Sequence, residues 1–98
     1  MVLQRVLSVL VVDDDRVLNT ILSKYITKNY ENIKVFQAFD GFEAGALVSE
    51  HKPNLIFLDL NLPGVDGFSL CEKIHNSEHF GNPVVFVITS LQDEGIEE

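Results

Sequence analysis

The sequence predicts an α/β fold, a parallel sheet with helices on both of its faces. Three observations carry that reading. Short apolar runs rich in β-branched residues recur at Leu7–Val12, Leu55–Leu58 and Val84–Ile88. Amphipathic stretches of about three turns each separate them. Two of the runs stop at acid, Asp13-Asp14-Asp15 and Asp59, as a strand covered on both faces does when its end emerges at a polar crevice. Strands alternating with helices imply right-handed crossovers and parallel pairing.

Taken in order, Leu7–Val12 is the first strand. The segment from Met1 runs straight into acid without a small-residue cleavage site, so it does not read as a signal peptide. Leu18, Ile21, Leu22, Tyr25 and Ile26 then recur at helical spacing and predict a helix with that stripe inward. Asp14 or Asp15 caps its start, and Lys24 and Lys28 suit its end. Ile33–Ala38 alternates with period two and reads as an edge strand. Asp40 and Glu43 have the spacing of a capping box. They open a second helix with Ala44, Leu47 and Val48 inward, and Pro53 stops it.

Leu55–Leu58 is the third strand, and Pro63-Gly64 breaks the chain after it. Asp66 caps a third helix with Leu70, Cys71 and Ile74 on one face. Asn76 to Asn82 is a polar loop, and Pro83 opens the fourth strand, Val84–Ile88, which ends at Thr89-Ser90. Phe36, Phe39, Phe57 and Phe86 read as core, while Phe42 and Phe68 follow the caps and anchor their helices. Gln92 to Glu98 could begin a fourth helix.

Composition narrows the function classes. At 98 residues this is one small domain. The net charge of -8 disfavours nucleic-acid binding and favours cations or basic partners. Four of the acids, Asp93, Glu94, Glu97 and Glu98, sit together at the end. No apolar run has the length of a membrane span. Cys71 is the single cysteine; it reads as a small core residue and suits a cytoplasmic location. His51, His75 and His79 are scattered and read as solvated, with no zinc-ligand spacing.

The chemistry is concentrated at strand ends. If strands one, three and four are neighbours, Asp13, Asp14, Asp59 and Thr89 converge at one end of the sheet. Carboxylates about 5 Å apart repel by roughly 3 kcal/mol per pair at an effective dielectric near 20. Such clusters persist by protonating one member or by holding a cation. An all-oxygen donor set selects a hard ion, above all Mg²⁺. A carboxylate beside that ion is equipped to attack phosphorus and form an acyl phosphate, with Thr89 offering a hydroxyl to an anionic oxygen. The bland account of the same residues is a polar rim, with Asp13 to Asp15 merely capping the first helix.

The motifs Val-Val-Asp-Asp-Asp, Leu-Asp-Leu-Asn-Leu-Pro-Gly-Val-Asp-Gly and Val-Ile-Thr-Ser, in that order, resemble the receiver domain of two-component response regulators. The resemblance covers about Leu7 to Ser90. It implies a flavodoxin-like three-layer α/β/α fold with strand order 2-1-3-4 here. It implies that Asp59 accepts phosphate from a sensor histidine kinase or a histidine phosphotransfer protein. Asp13, Asp14, Asp59 and the backbone carbonyl of Asn61 would hold Mg²⁺, and Thr89 would be the switch hydroxyl. No direct nucleic-acid or membrane binding is implied. The domain would assist its own phosphorylation and dephosphorylation without being a multiple-turnover enzyme.

Members of that family continue through a fourth helix, a fifth strand bearing a lysine at its end, and a fifth helix. The fifth strand and its lysine have no counterpart in the 98 residues, so residues 1–98 are expected to form a single receiver domain incomplete at its C-terminus. Val84–Ile88 is then expected to be an exposed apolar edge. A fragment, a homodimer paired through that edge, and a short interaction module are all open. Two other functions compete: a receiver-like interaction module without phosphorylation or switching, and a phosphohydrolase. Hydrolases with a strand-end Asp nucleophile place a second Asp two residues on, where Asn61 stands.

Overall fold

The unbroken apolar run Leu7–Val12 forms the first strand, β1, because its alternate side chains enter two different cores. Leu10 and Val12 join one cluster, while Val9 and Val11 join the other. The structure, a computed structural model, describes residues 6–88. Within it β1 is followed by α1 (Arg16–Asn29), β2 (Ile33–Ala38), α2 (Gly41–His51), β3 (Leu55–Asp59), α3 (Gly67–Asn76), a short 3₁₀ turn (Glu78–Phe80) and β4 (Val84–Ile88). All strand pairs are parallel, in the order β2-β1-β3-β4. This is the expected order, with β2 at an edge. Leu22 and Ile26 of α1 cover one face of the sheet, and Ala44, Val48, Leu70 and Ile74 of α2 and α3 cover the other. Among the described residues no helix is long and apolar enough to cross a membrane.

The helix starts follow the predicted capping chemistry. Asp15, one of the two expected candidates, caps α1, and its Oδ1 accepts from the N–H groups of Val17 and Leu18. Asp40 accepts from Glu43 N–H at 2.8 Å. The return bond differs from a standard capping box: Glu43 Oε1 accepts from Phe39 N–H, one residue before the cap. α2 ends at Lys52, which adopts a left-handed conformation (φ 46°) before the buried Pro53.

The rotation of α1 departs from the sequence reading. Leu18, Ile21 and Tyr25, expected inward, are exposed along with Val17. The inward face carries Asn19, Leu22, Ser23 and Ile26 instead. Polar Asn19 is accommodated inside because its carboxamide finds hydrogen-bond partners at the strand-end carbonyls there, and a buried polar group without partners is costly.

Several aromatic expectations also change. Phe42 and Phe68 do not anchor their helices: they are 89% and 72% exposed. Each lies two positions, or about 200° of helix, before an inward residue, Ala44 or Leu70. Phe39 carries the Arg16 guanidinium at 4.1 Å. Phe86 is exposed and stacks on Phe57 with ring centroids 5.5 Å apart. Phe36 packs against the core and stacks on His51 at 4.2 Å, so His51 is not simply solvated. His79 likewise meets Ser49 Oγ at 3.2 Å. Cys71 packs against the core as expected. Among the described residues β4 lies at the other edge of the sheet, with Val84, Phe86 and Val87 exposed.

The β3–α3 loop is closed by one tight approach. A Cβ at Gly67 would lie 2.8 Å from Leu60 Cα and 2.9 Å from its carbonyl oxygen. Backbone cannot move aside as a flexible side chain does, so Gly67→Ala should destabilise by about 1–3 kcal/mol. At Gly45, inside α2, an added Cβ meets nothing within 4 Å. Gly45→Ala should therefore stabilise by about 0.5–1 kcal/mol. Urea unfolding of both variants checks the contrast, and effects of the same sign would contradict it.

Candidate functional site

The three consecutive aspartates after β1 have separate tasks. Asp13 N–H donates to the Ala38 carbonyl at 3.1 Å, continuing the β1–β2 pairing by one step. Its Oδ1 accepts from Asp15 N–H at 3.0 Å, a side-chain turn that bends the chain out of the strand. Asp15 then caps α1, and Asp14 is left exposed at the rim.

Asp59 arrives by a different route. It is the last residue of β3 and pairs with Ile88 of β4. The run before it buries Ile56 and Leu58, and Asp59 itself is only 7% exposed. Its Oδ1 accepts from Asn61 N–H at 2.9 Å, while Leu60 N–H donates to the Ile88 carbonyl. The loop then turns at Gly64 (φ 71°), with Leu62 buried beneath it. Asp66 caps α3 and accepts from the Ser69 hydroxyl at 2.9 Å. That hydroxyl, with backbone N–H groups, holds the Asp66 carboxyl below its ordinary value.

Because Val12 pairs with Leu58, the ends of β1 and β3 lie side by side. Carboxylate oxygens of Asp13, Asp14 and Asp59 all fall within 4.8 Å of one another. They line a cavity of about 350 Å³ together with Asp15, Leu18, Asn61 and Ile88. Burial raises the Asp13 carboxyl above its usual range, and the neighbouring Asp59 and Asp14 charges add to the effect, against the opposing Asp15 N–H. An all-oxygen set of three acids that repel one another fits a hard divalent cation. Asp13, Asp14, Asp59 and Asn61 are therefore brought to one cavity, as expected. Thr89 lies outside the described residues. Asp15 and Leu18 are cavity residues that the sequence reading assigned elsewhere.

Residues 9–97 match the family model of the response regulator receiver domain. The chain belongs to that family. It is 36% identical over 83 residues to the DNA-binding dual master transcriptional regulator RpaA of Synechocystis sp., covering 85% of this chain and 34% of that protein. The chain spans only 25–34% of the length of the first curated relatives it matches. The signal receiver domain of a DNA-binding response regulator from Colwellia psychrerythraea superposes with a TM-score of 0.81 at 31% identity, over 90% of this chain and 72% of that one. A response regulator from Burkholderia pseudomallei, solved with a phosphorylated aspartic acid, a calcium ion and citrate, gives a TM-score of 0.76 at 26% identity, over 88% and 48%. The parallel sheet of order 2-1-3-4 is the flavodoxin-like arrangement of these receiver domains.

In this receiver domain the raised Asp13 carboxyl makes the metal-free cluster destabilising wherever Asp13 is ionised. Asp13→Asn keeps the acceptor for Asp15 N–H and removes the charge, so it should raise the melting temperature in chelator at neutral pH. The gain should shrink as pH falls from the raised Asp13 value towards the ordinary 3.8, below which the carboxyl is protonated folded or unfolded. Thermal melts across that range check the sign. A variant less stable than the parent at neutral pH would contradict it.

Proposed function

We propose that Asp59 is a phosphoacceptor and that residues 1–98 belong to one signalling receiver domain of a two-component system. The observation that supports this best is the trio of carboxylates within 4.8 Å, with Asp59 buried at the end of its strand. The phosphodonor is a phosphohistidine on a sensor histidine kinase or a histidine phosphotransfer protein. An Asp59 oxygen attacks phosphorus, a P–O bond forms, the P–N bond to the imidazole breaks, and the histidine leaves. Asn61 N–H on Oδ1 orients the attacking carboxylate.

Asp13, Asp14, Asp59 and the Asn61 backbone carbonyl are the residues proposed to hold Mg²⁺. Bound there, the ion would offset the charge that accumulates on the phosphoryl oxygens. Thr89 follows Ile88, the β4 residue paired with Asp59; its hydroxyl is proposed as the switch group that donates to the phosphoryl oxygen. The Burkholderia response regulator, which carries a phosphorylated aspartic acid and a calcium ion, supports the reading that Asp59 is a phosphoacceptor.

The outward face of α1 supports a protein partner. Val17, Leu18, Ile21 and Tyr25 are exposed there, and Leu18 also lines the acidic cavity. A partner seated on that face brings its histidine to Asp59. The apolar β4 edge offers a second copy a place to pair. With a net charge of -8, this domain is not proposed to contact nucleic acid directly. Asn61 stands where a phosphohydrolase would carry its second Asp, so a single phosphorylation with slow loss is expected, in the cytoplasm.

Incubation with Mg²⁺ and phosphoramidate, followed by intact-mass measurement, tests the reading. The expected result is one added phosphoryl group, absent in Asp59→Asn and absent when Mg²⁺ is chelated. An unmodified but folded parent, or an adduct that survives Asp59→Asn, would overturn it.

A further inference from the structure

Asn19 is completely buried in the first turn of α1, where the amphipathic pattern would accept an apolar residue. The two hydrogens on its side-chain Nδ2 are shared among three carbonyls, Ala38 at 2.9 Å, Asp13 at 3.0 Å and the more distant Val11 at 3.3 Å. Its Oδ1 accepts from Gln37 Nε2 at 2.9 Å and from Ser23 Oγ at 3.3 Å. Gln37 is itself steadied by Thr20 Oγ1 at 3.3 Å. Val11 and Asp13 flank the last residue of β1, and Ala38 is the last residue of β2. The Ala38 carbonyl also accepts from Asp13 N–H. One carboxamide therefore grips the chain at the point where it leaves β1 to deliver Asp13 and Asp14.

The geometry points to Asn19 as a positioning residue for the acidic cavity, fixing the turn that holds Asp13 and Asp14 against Asp59. The inference rests on the reading of that cavity as a divalent-cation site. Three mutually repelling carboxylates would open their turn if the backbone were free to move. The carbonyl grip opposes that opening from the buried side, and neither an apolar residue nor Asp could supply it, because neither has a donor. Gln37 holds the carboxamide in the donating orientation from the β2 side. Positioning groups of this kind act through the ligands and not on the ion.

The test is Mn²⁺ affinity, measured by electron paramagnetic resonance of free Mn²⁺, alongside the melting temperature in chelator. Asn19→Ala should weaken Mn²⁺ binding by about tenfold. Val48→Ala, a core change under α2, should lower the melting temperature and leave Mn²⁺ affinity unchanged. Gln37→Leu keeps volume at a half-buried site and should weaken Mn²⁺ binding severalfold, which serves if Asn19→Ala does not fold. Unchanged affinity in folded Asn19→Ala, or in Gln37→Leu where only that variant folds, overturns the positioning role while leaving the cation site standing. An affinity loss in Val48→Ala that matches its loss of stability also overturns it. A parent that does not bind Mn²⁺ removes the cation site itself, and the inference with it.

Discussion

The register of β1 against β3 is the constraint on which the site depends. Pairing Val12 with Leu58 places the two strand ends level, so that Asp13, Asp14 and Asp59 meet. Their like charges oppose this placement, and the carboxyl of Asp13, raised by burial and by its acidic neighbours, registers it. The opposing force comes from the sheet and its two cores. Val9, Leu10, Val11 and Val12 are all buried, and a slip of one residue would exchange the two faces of β1. The pocket is thus held by apolar burial that has no chemical part in it.

The loops around the pocket convert that register into fixed positions. On one side Asp13 is bent by its bond from Asp15 N–H, and Asp15 caps the helix that follows. On the other, Asn61 N–H steadies Asp59, and the close approach of Gly67 to Leu60 seats α3 against the loop. At the opposite end of the sheet Asn54 ties β1, β3 and β4 through Ser8 and Val84. The first helix has two faces of unequal chemistry. Its polar inward residues serve the strand ends, and its apolar outward residues stand beside the cavity mouth.

Much of this is legible in the chain because two-sided burial leaves a plain trace. Strands covered on both faces read as unbroken apolar runs, and acid at the end of two such runs marks strand ends that meet at a polar crevice. The convergence of Asp13, Asp14 and Asp59 was readable from those strand ends, and the caps Asp40 and Asp66 from their place at helix starts. The phase of α1 was not. The stripe from Leu18 to Ile26 is a good local pattern, but Asn19 turns inward where the carbonyls of Val11, Asp13 and Ala38 are its partners, and those come together only once the strands are assembled. A signal was present in Asn19 and Ser23, polar residues in phase with Leu22 and Ile26. Phe42 and Phe68 misled for a related reason: aromatic character suggests burial, while their helical phase places them outside. Lys52 in a left-handed conformation is set by the need to end α2 before Pro53, and residue type alone does not announce it.

The central claim is that the sheet brings three aspartates together as a divalent-cation site from which Asp59 acts. Titration of isotopically labelled protein with Mg²⁺, followed through its backbone amide resonances, tests this most directly. The account predicts saturable shifts centred on Asp13 to Asp15 and on Asp59 to Asn61, lost in Asp13→Asn. Shifts that never saturate, or that are scattered over the acidic surface and persist in Asp13→Asn, would contradict it.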